Sequence, residues 1–178
     1  MRLMPNRDPK FSENEMQEKV ALYFTDRKFR SSDAHDWNFM TPKVYREVRI
    51  APIKRIADVV IYLTERKIIN IECKLSDYGI VLNQAKDHLS WADYSYICLF
   101  SETYLPAYIL NEMISMGIGL LFWHPNYFVE VLQSGYNKKK DKSIREFVLT
   151  ELKKRDRIIT GKNEAENQLA INHNQNTE

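Results

Sequence analysis

The sequence predicts a single α/β domain, a mixed sheet with helices on both faces, and three observations carry that expectation. The chain has 178 residues, 44% apolar and 28% charged, which is an ordinary globular composition with length for one sizeable core. Helix-spaced and strand-like runs alternate along it. The run from Tyr94 to Phe100 is aromatic and β-branched without a charge, as a strand covered on both faces should be.

Residues 1–10 read as an N-terminal arm, 11–157 as the domain, and the polar stretch 158–178 as a disordered tail. The segment 12–28 places Met16, Val20, Tyr23 and Phe24 on one helical face, with Ser12 as N-cap. After a loop rich in Ser, Asp and Asn, the runs 44–50, 57–63 and 67–74 have strand chemistry, and the turn at 64–66 makes a hairpin of the last two. Helical spacing returns over 78–91, with Leu82, Ala85 and Leu89 in the stripe and Ser76 or Asp77 as the cap. Strand 94–100 follows, then a helix over 105–116 ended by Gly117, which can take the left-handed conformation. Strands at 118–123 and 127–132 and a basic amphipathic helix at 143–156 complete the chain. The order is αβββαβ, extended by a C-terminal αββα segment.

No run of eighteen apolar residues is present and the N-terminus lacks an apolar signal region, so a cytoplasmic protein without membrane contact is expected. Two cysteines, Cys73 and Cys98, are too few for a disulfide framework or a four-ligand zinc site and suit buried positions. The net charge is only +2, but 40–55 carries +4 (Lys43, Arg46, Arg49, Lys54, Arg55 against Glu47). The stretch 135–157 carries +5, with Lys138, Lys139 and Lys140 adjacent. Such stretches permit phosphate contacts; a solvated lysine loop is the competing reading.

The chemistry concentrates in RIADVVIYLTERKIINIECKL, residues 55–75. Alternation puts Glu72 and Lys74 on one face of their strand, with Ile69, Ile71 and Cys73 on the other. Asp58 opens the preceding strand, and a hairpin can bring it beside Glu72. Two close carboxylates repel unless a cation lies between them, and oxygen donors suit Mg²⁺, with Mn²⁺ as a substitute. Lys74 could then orient a water or offset charge on a phosphate. The competing reading of Glu72 and Lys74 is a cross-strand surface ion pair.

An acid opening one apolar strand, an acid and a lysine closing the next, and a helix directly after resemble the PD-(D/E)xK nuclease superfamily, whose restriction-endonuclease-like core is αβββαβ. The resemblance spans roughly 13–100. It implies a magnesium-dependent deoxyribonuclease in which Asp58 and Glu72 hold the metal, with the Cys73 carbonyl assisting, and Lys74 positions the attacking water. Ala57 stands where the family name has Pro. Members often add a glutamate from the first helix; Glu13 is the choice, because it lies close to the direction of Val20 and Phe24. Some members carry Gln on the next helix with Tyr one turn later; Gln84 matches, but His88 occupies the Tyr place. DNA is the implied partner, gripped by Lys43, Arg46, Arg49, Lys54, Arg55, Lys138, Lys139 and Lys140. Many small members form homodimers. Glu47 is read as an ion-pair partner of Arg46 or Arg49, and His88 as a satisfied or exposed imidazole. Two alternatives stay open: the same fold kept as a non-cleaving nucleic-acid- or protein-binding module, and an unrelated α/β interaction protein.

Overall fold

The computed structural model describes residues 11–26, 29–30, 39–125 and 127–156; the expected N-terminal arm and the polar tail lie outside them. In chain order the elements are α1 (Glu13–Thr25), β1 (Phe29–Arg30), β2 (Phe39–Met40), β3 (Lys43–Ile50), a 3₁₀ turn (Ala51–Ile53), β4 (Arg55–Thr64), β5 (Lys67–Lys74), α2 (Tyr78–His88), β6 (Tyr94–Phe100), α3 (Ala107–Met116), β7 (Gly119–His124) and β8 (Tyr127–Leu132). A last helix, α4, covers 142–156. Apart from the two-residue ribbon β1–β2, at the ends of what the sequence reads as loop, this is the expected order.

Six strands form one mixed sheet in sequence order, β3 to β8. β3, β4 and β5 run antiparallel, β5, β6 and β7 parallel, and β8 antiparallel to β7. Helix α1 covers one face, where Met16, Val20 and Phe24 pack on Val59, Ile61, Ile69 and Ile71. On the other face α2 and α3 cover Ile97, Leu99 and Leu120, while Val148 and Leu152 of α4 cover Tyr45, Val48, Val60 and Ile68. Among the described residues, no helix is long and apolar enough to cross a membrane.

Local chemistry sets most boundaries. Ser12 and Glu15 close a capping box on α1, Asp77 caps α2, and Gly117 ends α3 at φ 70. Helix α3 starts at Ala107, two residues later than expected, because Pro106 biases Leu105 away from helical backbone. Helix α2 stops at His88, short of 91. The Asn137 side chain donates to the carbonyls of Leu89 and Ala92 from a distant loop, which holds that segment out of the helix.

The sheet is kinked where β3 and β4 pass each other at Glu47 and Asp58. In β3 the buried residues are Tyr45, Val48 and Ile50, so alternation slips by one at Glu47, whose φ is 50. In β4 the slip recurs: Ala57 and Val60 join the α4-side core and Val59 the opposite one. Left-handed backbone at a non-glycine residue costs energy and needs external support. Arg155 of α4 supplies it, donating to the carbonyls of Arg46 and Glu47 at 2.7 Å each.

Candidate active site

The β4–β5 ladder has Val59↔Ile71 as its last pair on this side, and beyond it the Asp58 carboxylate takes the place of a backbone acceptor. Asp58 Oδ2 accepts from the Cys73 N–H at 2.8 Å, and the Asp58 N–H donates to Glu72 Oε1 at 3.4 Å. The Asp58 carboxylate is thus fixed by the Cys73 backbone, and the Glu72 carboxylate by that of Asp58. Lys74 ends β5 and its ammonium reaches Glu13 Oε2 at 2.5 Å, from the first turn of α1. Asp58, Lys74 and Glu13 therefore gather at the end of β4 and β5 beside α1, and Glu72 is joined to them through the Asp58 N–H.

Ile69, Ile71 and Cys73 share the α1-side core as alternation requires, but the surface ion pair is not what is found: Glu72 is wholly buried, whereas Lys74 is partly exposed and paired with Glu13. Strand β5 is central and covered on both sides, so strand alternation separates two cores rather than core from water. The Glu72 side chain lies under α2, and only Lys74, at the strand's end, reaches out to Glu13.

Burial and the nearby Glu72 charge push the Asp58 carboxyl up to about 7, against the opposing pull of the Cys73 N–H and Lys74. Burial pulls the Lys74 ammonium down, but the hydrogen bond and charge of Glu13, with Asp58 and Glu72 behind it, raise it on balance. Lys74 is thus a donor and a fixed positive charge, not a base. The Cys73 thiol lies in the α1-side core; its hydrogen bond with Cys98, and then burial, hold it well above the usual thiol range. Only the Cys73 backbone could serve a hard cation.

Two carboxylates and a carbonyl fit Mg²⁺, which takes few protein oxygens and keeps waters. Glu72 Oε2 is the supporting observation: it is buried without a hydrogen-bond partner, a costly state for a carboxylate oxygen that a cation would relieve. Among the described residues, no group of three or more His, Cys, Asp or Glu side chains is arranged to hold a metal.

A pH dependence follows. Because the folded Asp58 carboxyl sits near 7, above its ordinary value of about 3.9, folding favours its protonated form. That contribution is full below the ordinary value and is lost as pH climbs through 7. Metal-free protein should therefore melt lower at pH 8 than at pH 5.5, by a margin that Asp58→Asn removes. Thermal melts of the two proteins across that range would check it, and equal slopes would refute it.

Further buried polar groups lie on the same elements; Gln84 and His88 were named above from the resemblance, whereas Asn70 and Gln17 were not singled out by any motif. Asn70, two residues before Glu72 on the same face of β5, is completely buried with neither amide atom partnered; its place in the apolar run KIINIECK was the available signal. Gln84 of α2 has a buried, unpartnered Oε1, and Gln17, one turn beyond Glu13 on α1, has another. His88, at the end of α2, is wholly buried with Nε2 3.1 Å from Glu72 Oε1.

The expected phosphate-gripping residues divide into two sets. Lys43 pairs with Asp156, Arg55 with Asp87 and Lys140 with Asp93, at 2.6, 2.7 and 2.7 Å. Arg46 binds Asn14 of α1 rather than Glu47, and the Glu47 side chain is exposed, so the Glu47 ion pair is not observed. Arg49 and Lys54 are exposed at the kinked end of β3–β4 near Asp58. Lys138 and Lys139 are exposed too, but they follow Asn137, which is bonded to Asp93 just before β6. That end of the sheet is roughly 20 Å along β5 from Lys74.

A separate cavity of about 330 Å³ lies on the α1 face, lined by Tyr23, Phe24, Tyr94, Tyr96 and Phe128 with Lys67 and Glu130. It contains none of the acids above. No family model matches the chain, and no curated protein matches it. Among solved structures it is similar to the SPO1766 protein of unknown function from Silicibacter pomeroyi, with 19% identity and a TM-score of 0.49 over 70% of this chain and 82% of that one.

Proposed function

We propose that this protein is a divalent-metal-dependent nuclease of the PD-(D/E)xK kind, hydrolysing phosphodiester bonds in DNA. The observation that supports the reading is the approach of Asp58 and Glu72 at the end of the β4–β5 ladder, with Lys74 two residues further along β5 and Glu72 Oε2 buried and unpartnered. Asp58 and Glu72, with the Cys73 carbonyl, would hold Mg²⁺ or Mn²⁺. Such an ion polarises a phosphodiester and makes water a better nucleophile.

The chain's own residues supply the rest. Lys74, kept as an ammonium by Glu13, donates to a phosphate oxygen or to the attacking water and offsets charge as it develops. Asp58 is presented at the kink of β4, and Arg49 and Lys54, toward the same end of the β3–β4 pair, offer exposed cations to the phosphate backbone. Such contacts bind strongly at low salt and do not read sequence.

Incubation of supercoiled, linear, single-stranded and branched DNA with Mg²⁺, Mn²⁺ or EDTA tests the reading. Cleavage should require the divalent ion and disappear with Glu72→Ala. DNA binding without cleavage, unchanged by that substitution, would instead favour a binding module on the same fold.

A further inference from the structure

The two oxygens of Glu72 have different surroundings. Oε1 lies 3.1 Å from His88 Nε2 and 3.4 Å from the Asp58 N–H, whereas Oε2 meets no donor. His88 and Glu72 are both fully buried. On the other side of the imidazole, the Trp91 indole N–H donates to His88 Nδ1 at 3.0 Å, and the two rings meet edge to face with centroids 5.4 Å apart. An indole nitrogen can only donate. Nδ1 therefore carries a lone pair, and the ring hydrogen sits on Nε2, facing Glu72. The approach to Oε1 is short but not well aligned, as is common for site hydrogen bonds before loading.

We infer that Trp91 and His88 form a positioning chain for Glu72: Trp91 fixes the imidazole tautomer, His88 holds Oε1, and Oε2 is left without a partner, available to a divalent cation. This rests on Glu72 being a cation ligand, as proposed above. With both ring nitrogens turned to Glu72 and Trp91, His88 would not be a ligand itself; it would act by restricting a side chain with three rotatable bonds, whose loss of freedom would otherwise oppose binding. The arrangement has the logic of outer-shell partners, whose removal lowers metal affinity about 10–100-fold. Helix α2 makes the pairing possible, because His88 ends the helix and Trp91 follows in the turn that Asn137 holds open through Leu89 and Ala92. The i, i+3 spacing lets the indole reach back to the ring.

Two measurements on the full chain test it. Long-range ¹H–¹⁵N NMR of protein labelled at histidine, with His88 assigned by its absence in His88→Gln, should place its hydrogen on Nε2, and Trp91→Phe should shift the population toward Nδ1. Titration with Mn²⁺ alone should give about 10–100-fold weaker binding for His88→Leu, a smaller loss for Trp91→Phe, and recovery of most affinity in His88→Gln, which restores a side-chain N–H donor. Should His88→Leu fail to fold, His88→Gln and Trp91→Phe decide the matter, since a purely space-filling role predicts no effect of the indole N–H on Mn²⁺ binding. Wild-type affinity in folded His88→Leu or in Trp91→Phe, or a hydrogen on Nδ1 in the parent, would overturn the inference. Failure of the parent to bind Mn²⁺ would instead overturn the metal-site reading and this inference with it. Binding lost in Glu72→Gln but kept in His88→Leu would overturn the inference alone.

Discussion

Lys74→Ala should lower metal-dependent DNA cleavage by roughly 10²–10³-fold, the usual loss when a preorganised donor to developing charge is removed. The ammonium is held by Glu13 at 2.5 Å, within range of the charges of Asp58 and Glu72. Removing it leaves both acids and their backbone bonds intact, so Mn²⁺ binding should persist while turnover falls. The fold should survive as well, because the Lys74–Glu13 pair is partly exposed and such pairs contribute little stability. Single-turnover cleavage, with circular dichroism as the folding control, separates these effects. An undiminished rate would defeat the assignment of Lys74.

The second large effect is on stability. Asp93 is buried where the chain enters β6; its Oδ2 accepts from Arg145 at 2.6 Å and from the Ile68 N–H at 2.8 Å, and its Oδ1 lies 2.7 Å from the Lys140 ammonium. One carboxylate thus compensates two largely buried cations and a strand N–H. Asp93→Ala should cost about 3–5 kcal/mol, the usual result of leaving buried charge unpaired, out of a total of about 5–15 kcal/mol for a domain. Asp93→Asn should cost less, since its carbonyl can still accept from Ile68. Urea unfolding of the three proteins would check the ranking; a near-neutral Asp93→Ala would show that Arg145 and Lys140 find other partners.

Much of this architecture is legible locally. The charge-free run at β6, the hairpin of β4 and β5, Ser12 as a cap and Gly117 as a stop all express preferences of short segments, and those elements fall where the sequence places them. The approach of Asp58 to Glu72 across a hairpin was also legible from spacing, whereas Glu13 was chosen only through the resemblance. Burial depth was not legible. Glu72 looks like half of an exposed alternating pair until α2 is laid over β5, and His88 looks isolated until Glu72, sixteen places earlier, comes beneath it. The basic stretches mislead for the same reason: Lys43, Arg55 and Lys140 have acidic partners remote in sequence, so a linear charge count overstates the cations open to phosphate. The slip at Glu47 is the hardest to foresee, because Arg155, which supports it, lies 108 residues further along the chain.

That support gives the C-terminal helix a role that its distance from the acids conceals. Anyone trimming the protein to the segment that resembles a minimal nuclease core would keep every proposed ligand and yet remove the brace on which the bend under Asp58 leans. The shortened protein would be free to relax into a straighter β3 and β4, carrying the carboxylate out of line with its neighbour. Fusions, tags and truncations at this end should be treated as changes to the site itself.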